Sequence, residues 1–312
     1  MSQIIRIGTR NSELALWQAN LVQDKLQSLG YKTKIIELSS IGDEILDIPL
    51  HQIGSMGVFT KTLDVAMLRG QIDIAVHSLK DVPTQLPETI VQAAVLERAD
   101  VHDVIVYKGT EADLFAEGAT IATGSLRRTA QWLHKYPKHK LTGLRGNVNT
   151  RLKKLQDHSW NGAIFAKAGL ERIDLLPKKH KVLDWMIPAP AQGAIMITAL
   201  ESKSYQDQQS EILKACAKIH HKETALCVRI ERDFMSTLEG GCTAPIGGNA
   251  EIIEDKIVFK GILSALDGQD QKVVFKIIDL KDAEKLGQQC AQEILNNGGD
   301  VLMEEIKKVI KK

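Results

Sequence analysis

Three groups of residues in this chain could do chemistry. The first is the thiol of Cys242, within Leu238-Glu239-Gly240-Gly241-Cys242-Thr243-Ala244-Pro245-Ile246-Gly247-Gly248. Two glycine pairs and a proline cannot continue a helix, so the apolar helix before them must end here and set Cys242 on a turn. A thiol on such a loop can be reached by a substrate or carry a covalent group. The loop alone leaves open the plainer alternative of an exposed cysteine in an ordinary turn. Cys216, Cys227 and Cys290 lie in helix-like runs instead, where a thiol behaves as a small hydrophobe.

The second group is a set of cations. Between Ser125 and Gln156 stand Arg127, Arg128, Lys135, Lys138, Lys140, Arg145, Arg151, Lys153 and Lys154, with no acidic residue among them. Arg10, Lys80, Arg127, Arg128, Arg145 and Arg151 each follow a strand-like run. Arg127, Arg128 and Lys61 also fall in or near first turns of helices, where a positive charge opposes the macrodipole by about 0.3–1 kcal/mol. That placement is unfavourable unless an anion meets both the cations and the free N–H groups. It reads as a site for several carboxylates or phosphates, the alternative being solvated surface arginines. The third group is Asp81, the one carboxylate in this collar, fixed between Lys80 and Pro83. It could stabilise a developing cation or shuttle a proton; a helix cap or an ion pair with Lys80 is equally open.

The elements that must position these groups follow from apolar spacing. Ile4 to Gly8 reads as a buried strand, Glu13 to Leu29 as a helix capped by Ser12 and closed by Gly30, and Thr33 to Leu38 as a strand. A helix from about Thr60 to Arg69 and a strand Ile72 to Val76 continue the pattern of a doubly wound parallel sheet. The pattern repeats with strands Val104–Tyr107, Thr120–Ala122, Leu141–Leu144 and Ala163–Phe165 and helices Leu126–Tyr136 and Val148–Gln156. Two such lobes make a cleft, with ligands expected beyond the carboxyl ends of the strands. The run Ala194 to Leu200 crosses back to the first lobe. A helix from near His221 leads into the Cys242 loop. Strands Asn249–Ile253, Ile257–Leu263 and Lys272–Ile278 follow, the last two joined at Asp267-Gly268, before a closing helix from Ala283 to Leu295. The expected division is a discontinuous α/β lobe of residues 1–98 and 197–218, a second α/β lobe of 99–196, and a small α+β C-terminal domain of 219–312 that carries the cysteine.

Composition narrows the function classes. A chain of 312 residues, 44% hydrophobic and 25% charged with net charge +1, reads as a globular protein of two or three domains. Its apolar runs are too short to span a bilayer and its N-terminus lacks the build of a signal peptide, so a cytoplasmic protein is expected. Four cysteines with no Cys-x-x-Cys pair argue against a disulfide framework and a zinc ribbon. Cys216, His220, His221 and Cys227 form the cluster nearest to a metal site, but at no standard ligand spacing, so it reads as structural and no metal is expected. A pI near 7.7 and 4% aromatics weigh against nucleic-acid binding.

The chain resembles the porphobilinogen deaminases, also called hydroxymethylbilane synthases. The likeness rests on Arg6-Ile7-Gly8-Thr9-Arg10 with Leu14-Ala15-Leu16-Trp17-Gln18-Ala19, Phe59-Thr60-Lys61, and His77-Ser78-Leu79-Lys80-Asp81-Val82-Pro83-Thr84. It continues through Ser125-Leu126-Arg127-Arg128, Arg145 to Leu152, Ala168-Gly169-Leu170 and the Leu238 to Gly247 loop. The resemblance implies two periplasmic-binding-protein-like doubly wound lobes plus the cysteine-bearing domain. It further implies a dipyrromethane cofactor held by a thioether to Cys242, with Asp81 as the catalytic carboxylate. Asp81 would face the pyrrole N–H groups, stabilise the azafulvene cation formed when porphobilinogen loses ammonia, and assist proton transfer. Four substrates would join head to tail before water releases the linear tetrapyrrole hydroxymethylbilane, a step of heme biosynthesis. Lys80, Ser78, Ser125, Arg127, Arg128, Thr123, Asn147 and Arg145 would hold the cofactor. Arg10, Ser12, Lys61, Arg145, Arg151 and Gln192 would hold the carboxylates of porphobilinogen and the growing polypyrrole chain. A monomer acting without nucleic acid or membrane is implied.

Several positions depart from that pattern. Met56 stands where a lysine is common, Glu13 replaces a frequent proline, Gly124 a hydroxyl residue, His102 an arginine and Ala191 a glycine. Met56 matters most, since it removes a cation from a loop over the cleft. A bilobal anion-binding protein would explain the lobes and arginines but would give Cys242 and the third domain nothing to do.

Overall fold

The computed structural model describes residues 4–39, 60–202, 208–238 and 244–310. Cys242 and its flanking glycines, with Met56 and Phe59, lie outside the described residues. The chain divides into two compact units, the first with described residues 4–39, 60–99, 193–202 and 208–226, the second with 100–192, 227–238 and 244–310.

The first unit is built from β1 (Ile4–Arg10), α1 (Glu13–Ser28), β2 (Lys32–Leu38), α2 (Lys61–Leu68), β3 (Ile74–Ser78) and β4 (Ile90–Val95). After the second unit's excursion the chain returns as β10 (Ile195–Leu200). The sheet order is β2-β1-β3-β10-β4. β1 pairs in parallel with β2 and β3, while β10 runs antiparallel to both β3 and β4. Ala19, Val22 and Leu26, spaced three and four apart on α1, bury against Ile5, Ile7, Ile74, Val76, Ile195 and Ile197. Each of the valine, leucine and isoleucine side chains among them contributes about 1.5–3 kcal/mol on leaving water. Gly30, at φ +86°, closes α1; its N–H bonds Gln27 O and that of Tyr31 bonds Leu26 O. Ser12 occupies the N-cap position of α1 but makes no side-chain capping bond. The third strand begins two residues later than its apolar pattern suggests, because Asp73 is occupied with Arg6: its N–H meets Arg6 O at 2.9 Å and its carboxylate pairs with that guanidinium at 2.6 Å.

The second unit opens with β5 (Asp103–Tyr107), α3 (Glu111–Phe115), β6 (Thr120–Ala122), α4 (Leu126–Lys135), β7 (Lys140–Thr142), α5 (Val148–Asp157), β8 (Gly162–Ala166), α6 (Lys167–Glu171) and β9 (His180–Val182). Its sheet order is β7-β6-β8-β5-β9. β6 is parallel to β7 and β8, and β5 is antiparallel to β8 and β9. Alternate residues of β5, β6 and β8 bury on opposite faces: Val104, Val106, Ala122, Ala163 and Phe165 on one, Ile105, Ile121 and Ile164 on the other. Both sheets are therefore mixed, where the strand-helix alternation alone suggests parallel ones. The one antiparallel member of each sheet, β10 in the first and β5 in the second, follows an irregular connection rather than a crossover helix, which is why the alternation does not reveal its direction.

Two helices, α7 (Gln208–Ala217) and α8 (Lys222–Thr237), precede the antiparallel sheet β11 (Ile246–Ile253), β12 (Lys256–Ser264) and β13 (Gln271–Asp279). Gly268, at φ +77°, makes the β12–β13 turn expected at Asp267-Gly268. The closing helix is α9 (Leu286–Ile294), and α10 (Asp300–Ile310) continues beyond a kink at Gly298, φ +86°. Gly287 lets α9 press on α8: a Cβ there would stand 2.1 Å from Ile230 O.

Candidate functional site

In the first unit the carboxyl ends of β1 and β3 lie side by side, since Ile7 pairs with Ile74 and Gly8 with Ala75. The end of β1 brings Arg10 and the loop after it brings Ser12. The end of β3 brings Ser78, and a single 3-10 turn, Leu79–Asp81, brings Lys80 and Asp81. Leu79 anchors this turn: its side chain is buried and its N–H bonds Ala194 O at 3.0 Å. Ser78 is fixed by Gln18 of α1, whose Nε2 donates to its Oγ at 2.8 Å. Asp81 is half-buried, and among the described residues its carboxylate has neither a hydrogen-bond partner nor an ion pair with Lys80. Beneath the turn His77 is buried, with Nε2 3.2 Å from Thr198 Oγ1. Burial first and the charge of Arg10 second lower its pKa to about 4, so it stays neutral near pH 7. Lys61 is the exposed first residue of α2; among the described residues no contact joins it to the Arg10–Asp81 group.

In the second unit the parallel pairing of β6 with β7 sets two strand-end loops together. Thr123 N–H bonds Thr142 O at 2.9 Å, and a Cβ on Gly124 would stand 2.6 Å from Leu144 O. Each loop opens a helix. Ser125 caps α4 by accepting from Arg128 N–H, and Asn147 caps α5 by accepting from Thr150 N–H. Neither first turn holds an acidic residue. Arg145, whose pKa burial lowers, lies half-buried between the caps, and Arg151 donates from Nε to Gly146 O at 2.7 Å. Two helix N-termini without acidic residues, flanked by guanidinium groups, have the donors and charge that suit an anion.

Arg127 and Arg128 are placed differently. Both are buried, at 3% and 5% exposure, and both pair with Asp103, which is wholly buried. Arg127 approaches Oδ2 at 2.8 Å and Arg128 approaches Oδ1 at 2.7 Å. Asp81 is thus not the one carboxylate among these cations, and the anion the sequence demands of a ligand at this helix is partly supplied by the chain itself. Burial alone would raise the Asp103 carboxyl, but the two arginine charges outweigh it and hold the group well below the carboxylate range. Gln192, also buried, donates to Asp103 Oδ1 at 3.0 Å and to Val101 O at 2.8 Å. Two guanidinium groups against one carboxylate leave a net positive charge, held rigidly, beside Ser125 at the start of α4. Sequence reasoning missed Asp103 because a carboxylate at the head of a strand gives no local sign of the arginines it will meet.

His220 and His221 serve the backbone: Nδ1 of each accepts an N–H, from Val95 at 3.1 Å and from Thr224 at 3.2 Å. Burial pushes the Cys216 thiol up to about 12.

Fold and site define a class: an α/β protein with two strand-end clusters that offer cations and N–H groups to acidic ligands, one of them next to the half-buried carboxylate of Asp81. The family profile described as "Porphobilinogen deaminase, dipyromethane cofactor binding domain" matches residues 5–208, and "Porphobilinogen deaminase, C-terminal domain" matches 225–296. A protein of Campylobacter hominis named porphobilinogen deaminase is 40% identical over 314 residues, 98% of this chain and 99% of that protein. Another so named, from Geotalea daltonii, is 38% identical over 306 residues, 97% of this chain and 94% of that protein. The chain belongs to the porphobilinogen deaminase family. Among solved structures, the methionine-binding protein MetQ is similar at TM-score 0.44 and 15% identity, over 71% of this chain and 92% of that one.

Proposed function

We propose that this chain is a hydroxymethylbilane synthase, which deaminates porphobilinogen, joins four molecules head to tail on a covalent dipyrromethane primer and releases the linear tetrapyrrole by hydrolysis. The observation that carries the reading is the family match over nearly the whole chain. The donor set supports it. Every ring of such a ligand carries carboxylates, and the strand ends of the second unit offer Ser125, Arg145, Asn147 and Arg151 at two helix N-termini free of acidic residues. Bound through Cys242, the dipyrromethane would supply the nucleophilic carbon on which the chain grows.

In this reading Thr123, Ser125, Arg127, Arg128, Arg145 and Asn147, with Ser78 and Lys80, hold the cofactor. Arg10, Ser12, Lys61, Arg145, Arg151 and Gln192 hold the carboxylates of incoming substrate. Asp81 accepts a hydrogen bond from a pyrrole N–H, stabilises the positive charge that develops as ammonia leaves, and takes up the proton released as each new ring is joined. A positioned acid–base group of this kind contributes about 10²–10⁴-fold, so Asp81→Asn is expected to lose at least that much of kcat. The exposed face of Asp81, not committed to another group among the described residues, supports this assignment.

The three-part division into 1–98 with 197–218, 99–196 and 219–312 belongs to the same reading; the separate match to a C-terminal domain at 225–296 and the independent sheet β11–β13 support it. The reading also takes the enzyme as a cytoplasmic monomer that needs neither nucleic acid nor a membrane; a light-scattering mass twice that of the chain would overturn the monomer. No helix among the described residues is long and apolar enough to cross a bilayer.

The deciding experiment is the intact mass of the denatured protein beside Cys242→Ser. Excess mass of two linked pyrroles, present in the parent and absent in the variant, is expected. A bare parent chain that gains no mass on adding porphobilinogen would refute the reading.

A further inference from the structure

The deepest carboxylate in the second unit besides Asp103 is Glu231, on α8, the helix that leads toward Cys242. It is wholly buried. One carboxylate oxygen accepts the N–H of Ala191 at 2.6 Å and the other accepts the N–H of Ala250, on β11, at 2.7 Å. Charge-assisted bonds of this length in a dry site hold geometry firmly. What they hold is a corner of irregular backbone. Ala191 has φ +63°, a conformation that a residue with a side chain keeps only where its surroundings over-determine it.

The next residue and the opposite end of that corner both reach the arginine cluster. Gln192 donates to Asp103 Oδ1 and to Val101 O. Ile187 O accepts from Arg127 at 2.8 Å and from Gln131 at 2.9 Å, and Ile187 N–H donates back to Gln131 at 2.8 Å. Pro188 O accepts the N–H of Gly248 on β11. The corner 187–192 is thus clamped on one side by Glu231 and β11, and on the other it carries the groups that orient Asp103, Arg127 and Arg128.

We propose that Glu231 is a positioning residue for the reaction: by fixing the Ala191 N–H it sets Gln192 and Ile187, and through them the orientation of Arg127 and Arg128 toward the ligand's carboxylates. The carboxylate touches no substrate itself. It couples α8 to the arginine cluster through the 187–192 corner, so that the cation pair keeps one orientation while the ligand binds. The proposal rests on the hydroxymethylbilane synthase reading for its ligand, though not for the clamp.

The test is Glu231→Gln, which turns one of the two acceptors into an NH₂ group facing an N–H. Hydrogen exchange of the full chain without ligand is measured first, at peptides covering 187–192 and 126–132. At least tenfold faster exchange in both is expected, with the α1–β1 region unchanged. Rapid exchange in neither would overturn the proposal whatever the enzyme's activity. Next, apo protein is given porphobilinogen and the gain of covalent mass is timed. Loading at least tenfold slower per folded molecule is expected, with KM raised more than kcat is lowered. In a Gln192→Ala background the added effect of Glu231→Gln is expected to fall below twofold. Wild-type loading and kinetics in the variant, or full multiplication of the two losses, would overturn the proposal. A wild-type chain that takes up no mass refutes the enzyme reading instead, and the exchange result then decides the clamp alone. Should Glu231→Gln fail to fold, Glu231→Asp keeps the charge but reaches one N–H only. Intermediate exchange and loading are expected, and wild-type values would overturn the proposal.

Discussion

Asp103→Asn is the perturbation that most directly probes the buried cluster. Asn keeps an acceptor for Arg128 Nε at 3.0 Å and for Gln192 Nε2 at 3.0 Å. It removes the negative charge and turns an amide toward Arg127, which approaches the lost oxygen at 2.8 Å. Two guanidinium groups with side chains 4% and 7% exposed are then left without their anion. Breaking a buried pair from one side costs about 3–5 kcal/mol, and the retained acceptor puts the expected loss near 3 kcal/mol, out of a total of about 5–15. Urea unfolding at pH 7 measures it. The pH dependence supplies an internal check. The folded-state pKa of Asp103 is depressed below its ordinary 3.8, so its contribution is fully present above that value and is lost only as pH falls below it. The difference between parent and variant should therefore be the same at pH 5 and pH 8. A loss under 1 kcal/mol, or one that changes between those pH values, would refute the argument that the charge of Asp103 anchors the pair.

His77 gives the opposite profile. Its pKa falls from 6.5 unfolded to about 4 folded, so the unfolded chain takes up a proton that the native one refuses. Stability is unaffected above about pH 6.5 and declines toward pH 4, by about 2 kcal/mol at pH 5 relative to pH 7. His77→Asn should remove that share of the slope in urea titrations at the two pH values, and an unchanged slope would sink the assignment. Gly287→Ala sets helix propensity, favouring Ala by about 1 kcal/mol, against a Cβ 2.1 Å from Ile230 O. The obstacle is backbone and overpacking costs about 1–3 kcal/mol or more, so a net loss of about 2 kcal/mol and a lower Tm are expected; a raised Tm would show that α9 can slide. Met56→Lys restores the cation common in the family and is expected to change the apparent affinity for porphobilinogen, read as KM, with the reaction itself intact.

Local chemistry carried much of this protein in its sequence. The spacing of Ala19, Val22 and Leu26, with Gly30 after them, determines α1 and its end. Asp267-Gly268 determines a turn because glycine takes a positive φ at little cost. The order of motifs from Arg10 to the Cys242 loop determines the family. Those signals lie within a few residues of one another, where sterics and hydrogen bonding act without help from the rest of the chain. What the tertiary structure decided was direction and partnership across long separations. β5 and β10 run antiparallel to their neighbours, Glu231 meets the N–H groups of Ala191 and Ala250, and Asp103 meets two arginines on a later helix. A buried charge is tolerated only where its partner arrives. That partner is chosen by which strands lie side by side, a fact no local window of sequence contains.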